Sequence, residues 1–348
     1  MSFPEEKREK IKRYILEKIF QRRPDLAKKT AQAFGISLNT VYRYIRELEQ
    51  DELIEKVDNG FRLTIRKASF FLSREKNELT EEDMIYDRCI EKFMDGLPDN
   101  VRRIWQYSFM EMMNNAIEHS GAEHVFITVR RNYLMTLILI SDDGIGIFRK
   151  IREYYQYPSL DDAVNELFKG KLTTDSTNHS GEGIFFTSRI LDRFAAISDG
   201  KIFAHDNYFE QLKNMEEVES LKRWKDHKGT SIYMGLSNFS NKALKEVFDM
   251  FSDEDGGFTK TNIPVKNLFA DYPVSRSQAR RLCSRFETFK EVELDFKEVD
   301  EIGQGFAHEI FVVFQNRHTD VNLIPLNMTP AVEKMIHHVR MSSIKNDV

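Results

Sequence analysis

The chain has 348 residues, 31% of them charged and 41% hydrophobic, enough for roughly two or three domains with real cores. It contains no run of about 18 apolar residues, so no helix is expected to span a membrane, and the opening MSFPEEKREK lacks the apolar segment of a signal peptide. The two cysteines, Cys89 and Cys283, are far apart and have no metal-ligand spacing, which suits a reducing cytoplasm and argues against a disulfide framework or a zinc site.

The net charge of −5 is unevenly spread. Residues 1–67 hold 16 Lys and Arg against 11 Asp and Glu, a balance of +5, which leaves −10 for the remainder. A basic end on an acidic body is a hint of nucleic acid.

In chain order, residues 6–20 place Ile11, Tyr14, Ile15 and Ile19 at helical spacing, and 25–34 form a second short helix. Gly35 suits the turn that follows. Ser37 suits the N-cap of a third helix running to about Gln50, with Val41, Ile45 and Leu48 on its buried face. Asn39, Thr40, Arg43 and Arg46 point elsewhere. LIEKVDNGFRLTI then sets two strand-like runs around Asn-Gly, a hairpin signal. This order resembles a winged helix-turn-helix DNA-binding domain over about 60 residues. The resemblance implies that Asn39, Arg43 and Arg46 face base edges, with Thr40 on the same helix. Lys28, Lys29 and Arg62 would meet phosphates. Glu47, Glu49 and Asp51 would have to turn away from the duplex. A winged helix used for protein interaction or dimerisation is the alternative.

The stretch FMEMMNNAIEHS, residues 109–120, reads as a helix with a polar stripe: Glu111 and Asn115 lie four apart, and Glu118 and His119 follow. Two strand runs come next, the second apolar throughout, and lead into SDDGIGIF. Glycines beside a carboxylate let backbone approach a ligand closely while the carboxylate accepts from an amino group. Later, NHSGEGIFFTSRILDRF sets Gly181 and Gly183 before an apolar-periodic helix, whose N-terminal amides favour anions. Gly229 and Thr230 then open another strand.

Together, in this order, these four pieces resemble the N, G1, G2 and G3 boxes of the GHKL ATP-binding fold, over about residues 80–236. DNA gyrase, MutL, histidine kinases and anti-sigma serine kinases share that fold. The resemblance implies that Asn115 holds Mg²⁺ bridging the phosphates of ATP, and that Asp142 binds the adenine amino group beside Gly144 and Gly146. Gly181 and Gly183 would approach the phosphates, and Thr230 would support the adenine contact. Residues 149–180 would form a lid, with Lys171, Thr173 and Thr174 as phosphate contacts. Glu111 occupies the place of the general base in the ATPases and serine kinases of this fold. The alternative is a structural carboxylate paired with His119 or a lid cation. The first histidine of the chain is His119, so an upstream phosphoacceptor histidine is absent from residues 1–118.

After Asn238 the composition loosens, and SDEDGGF reads as an exposed loop. A helix (VSRSQARRLCSRFETF), a strand (EVELDFKEVD), a helix (DEIGQGFAHEIFVVFQ) and a strand (DVNLIPLNM) follow. Thr329 and Pro330 start a last helix. LDF…VDEIGQGFAHEIF resembles the centre of STAS domains of anti-sigma antagonists, over about residues 264–340. Where those carry a phosphorylatable serine this chain has Ile-Gly-Gln-Gly, so phosphorylation there is not expected. Arg276, Ser277, Arg280 and Arg281 read as a solvated basic helix start.

The expected architecture is therefore α/β multidomain. It comprises a winged helix (1–67), a two-layer GHKL (Bergerat) sandwich (68–240) and a small α/β STAS-like domain (257–348). Three functions fit: a cytoplasmic DNA-binding regulator switched by Mg-ATP, a serine/threonine kinase acting on a separate protein, or an ATPase that dimerises on ATP. The expected partners are double-stranded DNA, ATP, a protein bound through the STAS-like domain and a second copy of the chain; no membrane is expected.

Overall fold

A computed structural model describes residues 4–22, 24–58, 60–172, 181–204, 228–269 and 272–344. Two compact units emerge, and the chain passes between them several times. The first comprises Met1–Asp142, Leu191–Phe194 and Ser231–Asn241; the second comprises Asp143–Ile190, Ala195–Thr230 and Lys242–Val348.

The first unit opens with α1 (Glu5–Phe20), α2 (Leu26–Phe34), α3 (Leu38–Gln50) and the hairpin β1 (Ile54–Val57)–β2 (Gly60–Leu63). Local chemistry sets these boundaries. Gly35 ends α2 in the left-handed conformation at φ +61, and Ser37 Oγ accepts from the Thr40 amide to cap α3. The hairpin closes on the Val57–Gly60 pair, with Gly60 (φ +132) inside the second strand rather than in the turn. Ile11, Ile15, Leu16, Val41, Tyr44 and Leu48 are fully buried in a core of this segment's own.

The same unit continues with β3 (Arg66–Ser73), α4 (Glu82–Cys89), α5 (Asp99–Asn114), β4 (His124–Arg131) and β5 (Met135–Asp142). β8 (Thr230–Ser237) is antiparallel to β5, and the order is β3-β4-β5-β8. Alternation of buried and part-exposed positions in β4 and β5 is the period of a strand with one covered face. Val125, Ile127, Val129, Ile138 and Ile140 on one face of these strands are buried, as are Trp105, Phe109 and Met113 of α5. The Asp192 amide donates to the Gly235 carbonyl of β8, and β6 (Arg193–Ser198) starts there.

The second unit holds α6 (Ile147–Tyr155), α7 (Leu160–Lys169), α8 (Gly183–Ile190), most of β6 with its partner β7 (Lys201–Ala204), and α9 (Leu244–Phe251). Phe185 and Phe186 of α8 meet Phe251 and Phe258 in an aromatic cluster. A parallel sheet follows, β9 (Lys260–Pro264), β10 (Glu291–Asp295) and β11 (Asn322–Leu326), in the order β11-β10-β9. Its helical connections are α10 (Arg276–Cys283) and α11 (Gln304–His308), which runs on through a π-helical stretch, Glu309–Phe314. α12 (Pro330–Ile344) closes the chain, its start capped by Thr329 Oγ1 accepting from the Val332 amide. β9 lies ahead of the stretch that sequence reading assigns to strands.

Among the described residues no helix is long and apolar enough to cross a membrane.

Candidate functional site

In the first unit, the Asn115 amide donates to the Glu111 carbonyl, so the two side chains stand one turn apart, both half-buried. At Asn115 the helix widens into a π-helical stretch, Asn115–His119. Such stretches interrupt α-helices frequently at functional positions. Two residues that sequence reading missed fix the end of this helix. Arg74 donates to the carbonyls of Ile117 (2.8 Å) and Ala122 (2.9 Å), and Ser120 Oγ donates to the Ala116 carbonyl and accepts from the Ala122 amide. Arg74 arrives through sheet register, since Ser73 pairs with His124. No local pattern announces it.

β5 ends on Asp142, which is only 5% exposed. Next to it Ser141 Oγ and Ser231 Oγ share a 2.8 Å hydrogen bond across the β5–β8 pair, and β8 begins one residue earlier, on Thr230.

In the second unit, Gly144 and Gly146 are buried and precede α6. Gly146 sits at φ +88, and a Cβ there would fall 2.6 Å from Asp199 Oδ2 and 2.7 Å from Ser198 Oγ. Only glycine meets both conditions. Thr230 Oγ1 accepts from the Ile147 amide at 3.0 Å, holding the start of α6, and Ser198 Oγ donates to the Gly229 carbonyl at 2.9 Å.

Gly181 is at φ +70, and a Cβ on it would lie 2.5 Å from the carbonyl carbon of Leu172. The Leu172 amide donates to the Gly181 carbonyl at 3.1 Å. Gly183 begins α8. Lys171 Nζ donates to the Thr288 carbonyl at 2.7 Å and lies over the Phe289 ring, and burial pulls its pKa down. The structure thus places Lys171 against the segment before β10. Thr173 and Thr174 lie outside the described residues.

The residues expected at base edges and phosphates lie in the helix–hairpin segment. Asn39, Arg43 and Arg46 are exposed along α3, Lys28 and Lys29 along α2, and Arg62 on β2. Thr40 caps α3 with Ser37. Arg43 approaches Glu47 at 3.8 Å, and Arg62 pairs with Glu55 at 2.7 Å. Glu47 also receives Lys12 (3.2 Å) and Arg8 (3.5 Å) of α1. Burial pulls the Lys12 ammonium down, but Glu47 and Asp51 outweigh it, and its pKa is raised. Tyr42, which the sequence reading does not single out, is 51% exposed on α3 between Asn39 and Arg46.

Residues 100–239 match the family model of the histidine kinase-, DNA gyrase B-, and HSP90-like ATPase. Residues 278–333 match the STAS-like domain of unknown function (DUF4325). The chain thus contains a GHKL-type ATPase domain, which indicates an ATP-binding ATPase or kinase, and a C-terminal STAS-like domain. Neither match reaches the helices and hairpin of residues 5–63. No curated protein matches the chain significantly.

Proposed function

We propose that this chain is a DNA-binding regulator whose winged helix responds to Mg-ATP held by the GHKL-type domain. The observation that carries this reading is where β5 and β8 lead. At one end they hold Asp142 and Thr230. At the other, Tyr133 and Leu134 pack against the core of the helix–hairpin segment. Phe239, just past β8, lies 5.3 Å from the Tyr133 ring and under Arg13 of α1 at 4.3 Å. Asn238 ties the two strand ends together, donating to the carbonyls of Asn132 and Tyr133 and accepting from Thr136. A shift of the strands at the nucleotide end therefore has a packed route to α1. ATP changes the winged helix only as far as it binds the two arrangements with different affinity.

The residues fit Mg-ATP. A buried carboxylate suits the adenine amino group, an amide oxygen suits a hard cation, and Gly146 and Gly181 sit where a side chain cannot. In this reading Asn115 holds Mg²⁺, which neutralises phosphate charge when bound. Asp142 holds adenine, and Glu111 is placed to take a proton from water or a hydroxyl. Arg43, Arg46, Asn39 and Tyr42 read the groove, while Lys28 and Lys29 meet phosphates.

The test is selection of bound duplexes from a random-sequence pool. Wild type should enrich a motif, and Arg43→Ala with Arg46→Ala should enrich none while still binding ATP. Equal enrichment by the double variant would remove α3 as the reader.

One observation favours a second reading. Glu111, one turn before Asn115, stands where the ATPases and serine kinases of this fold carry their general base, and it would equally serve a kinase acting on a separate protein. γ-Labelled ATP incubated with cell extract and the chain decides this. Label on an extract protein that disappears with Glu111→Ala would make the chain a kinase addressed by its winged helix.

A further inference from the structure

The second unit gathers three charged groups that the reading above does not use. Lys169, at the end of α7, is 1% exposed, and Glu166, one turn earlier, is 3% exposed. Lys169 Nζ donates to Glu166 Oε1 (2.5 Å) and to the carbonyls of Arg281 (3.1 Å) and Ser284 (2.8 Å) at the end of α10. All three ammonium protons are thereby engaged. The other carboxylate oxygen of Glu166 accepts from Nη1 of the largely buried Arg285 at 3.0 Å. Arg285 Nη2 donates to the carbonyls of Gly170 (3.0 Å) and Lys171. Two cations face one carboxylate, and four backbone carbonyls absorb the excess. Apolar packing would join α7 to α10 at lower cost than three desolvated ions; what ions add is direction.

The direction is toward the glycine loop. Gly170 (φ +83) and Lys171 (φ +50) are two successive residues at positive φ whose carbonyls both accept from Arg285, itself at φ +68. The next residue, Leu172, gives its amide to the Gly181 carbonyl and leaves no room for a Cβ on Gly181. Two residues further, Gly183 starts α8. A second guanidinium, Arg189 of α8, donates to the carbonyls of Phe168 and Asn262, so α8 is tied to α7 and β9 as well.

We propose that Arg285, from the STAS-like part of the chain, is a positioning residue for phosphate binding, fixing the Gly170–Leu172 segment and through it the Gly181–Gly183 segment. This rests on the reading of that segment as part of the ATP site. Nucleotide affinity then depends on the STAS-like domain, without any group of that domain touching ATP.

The test uses the full chain with Arg285→Ala and Arg285→Lys, beside Asp142→Asn and the exposed Arg317→Ala. ATP and adenosine each compete against a fluorescent ATP analogue, and thermal unfolding is followed without nucleotide. Lysine keeps the charge beside Glu166 but lacks the fork that reaches two carbonyls. Arg285→Lys should therefore unfold near wild type yet bind ATP about tenfold or more weakly, with adenosine affinity unchanged. Arg317→Ala should match wild type in all three readouts. A purely structural role for Arg285 would lower both affinities together or neither. ATP affinity at the wild-type level in a folded Arg285→Lys or Arg285→Ala protein overturns the proposal. If that happens while Asp142→Asn has lost ATP, the ATP site stands and only the role of Arg285 fails. Normal ATP binding by Asp142→Asn would overturn the site and this proposal with it.

Discussion

Glu111 and Asn115 share one turn of helix but carry different expected losses. Asn115→Ala and Asp142→Asn should each abolish measurable ATP binding in calorimetric titration; normal binding by either would remove it from the site. Glu111→Ala should bind ATP as wild type does and lose turnover by about a hundredfold or more, the scale of a positioned general base. Unchanged turnover would return Glu111 to a structural role. The cysteines give a check on the fold itself. Burial pushes the Cys283 thiol up to about 12 and also raises that of Cys89. Neither should react with a thiol reagent at neutral pH until the chain is unfolded. Rapid labelling of native protein would contradict the packing around α4 and α10.

At the scale of elements, what is legible in the sequence follows how local the cause is. Ser37, Gly35 and Thr329 act within a few residues of themselves, and each stands at the helix end expected of it. Ser37→Ala should destabilise the helix–hairpin segment by about 1 kcal/mol, read from its denaturant midpoint; no shift would mean the cap is not formed. β9 is not legible, because its five residues bury only Thr261 and Ile263 and its partner β10 lies far along the chain. The π-helical widening at Asn115 has no sequence signal, and Arg74 reaches it only through strand register. Gly181 reads in the sequence as a glycine for phosphate approach; the backbone of Leu172 also requires it, a tertiary reason that no motif contains. Lys171 shows the same limit, since its Thr288 partner is 117 positions away.

For the whole molecule, the chain joins a segment of three helices and a hairpin, a GHKL-type ATPase domain and a STAS-like domain. In the proposed function, nucleotide held beside Asp142 alters duplex binding by α3. The most direct measurement is fluorescence anisotropy of a random-sequence duplex pool titrated with wild type and with Asp142→Asn, each with and without Mg-ATP at fixed salt, because phosphate contacts make affinity salt-dependent. Mg-ATP should shift the wild-type affinity by about fivefold or more, in the range of ordinary coupling energies, and leave Asp142→Asn unmoved. Duplex binding by wild type that is identical with and without Mg-ATP, in protein shown to hold the nucleotide, would contradict it.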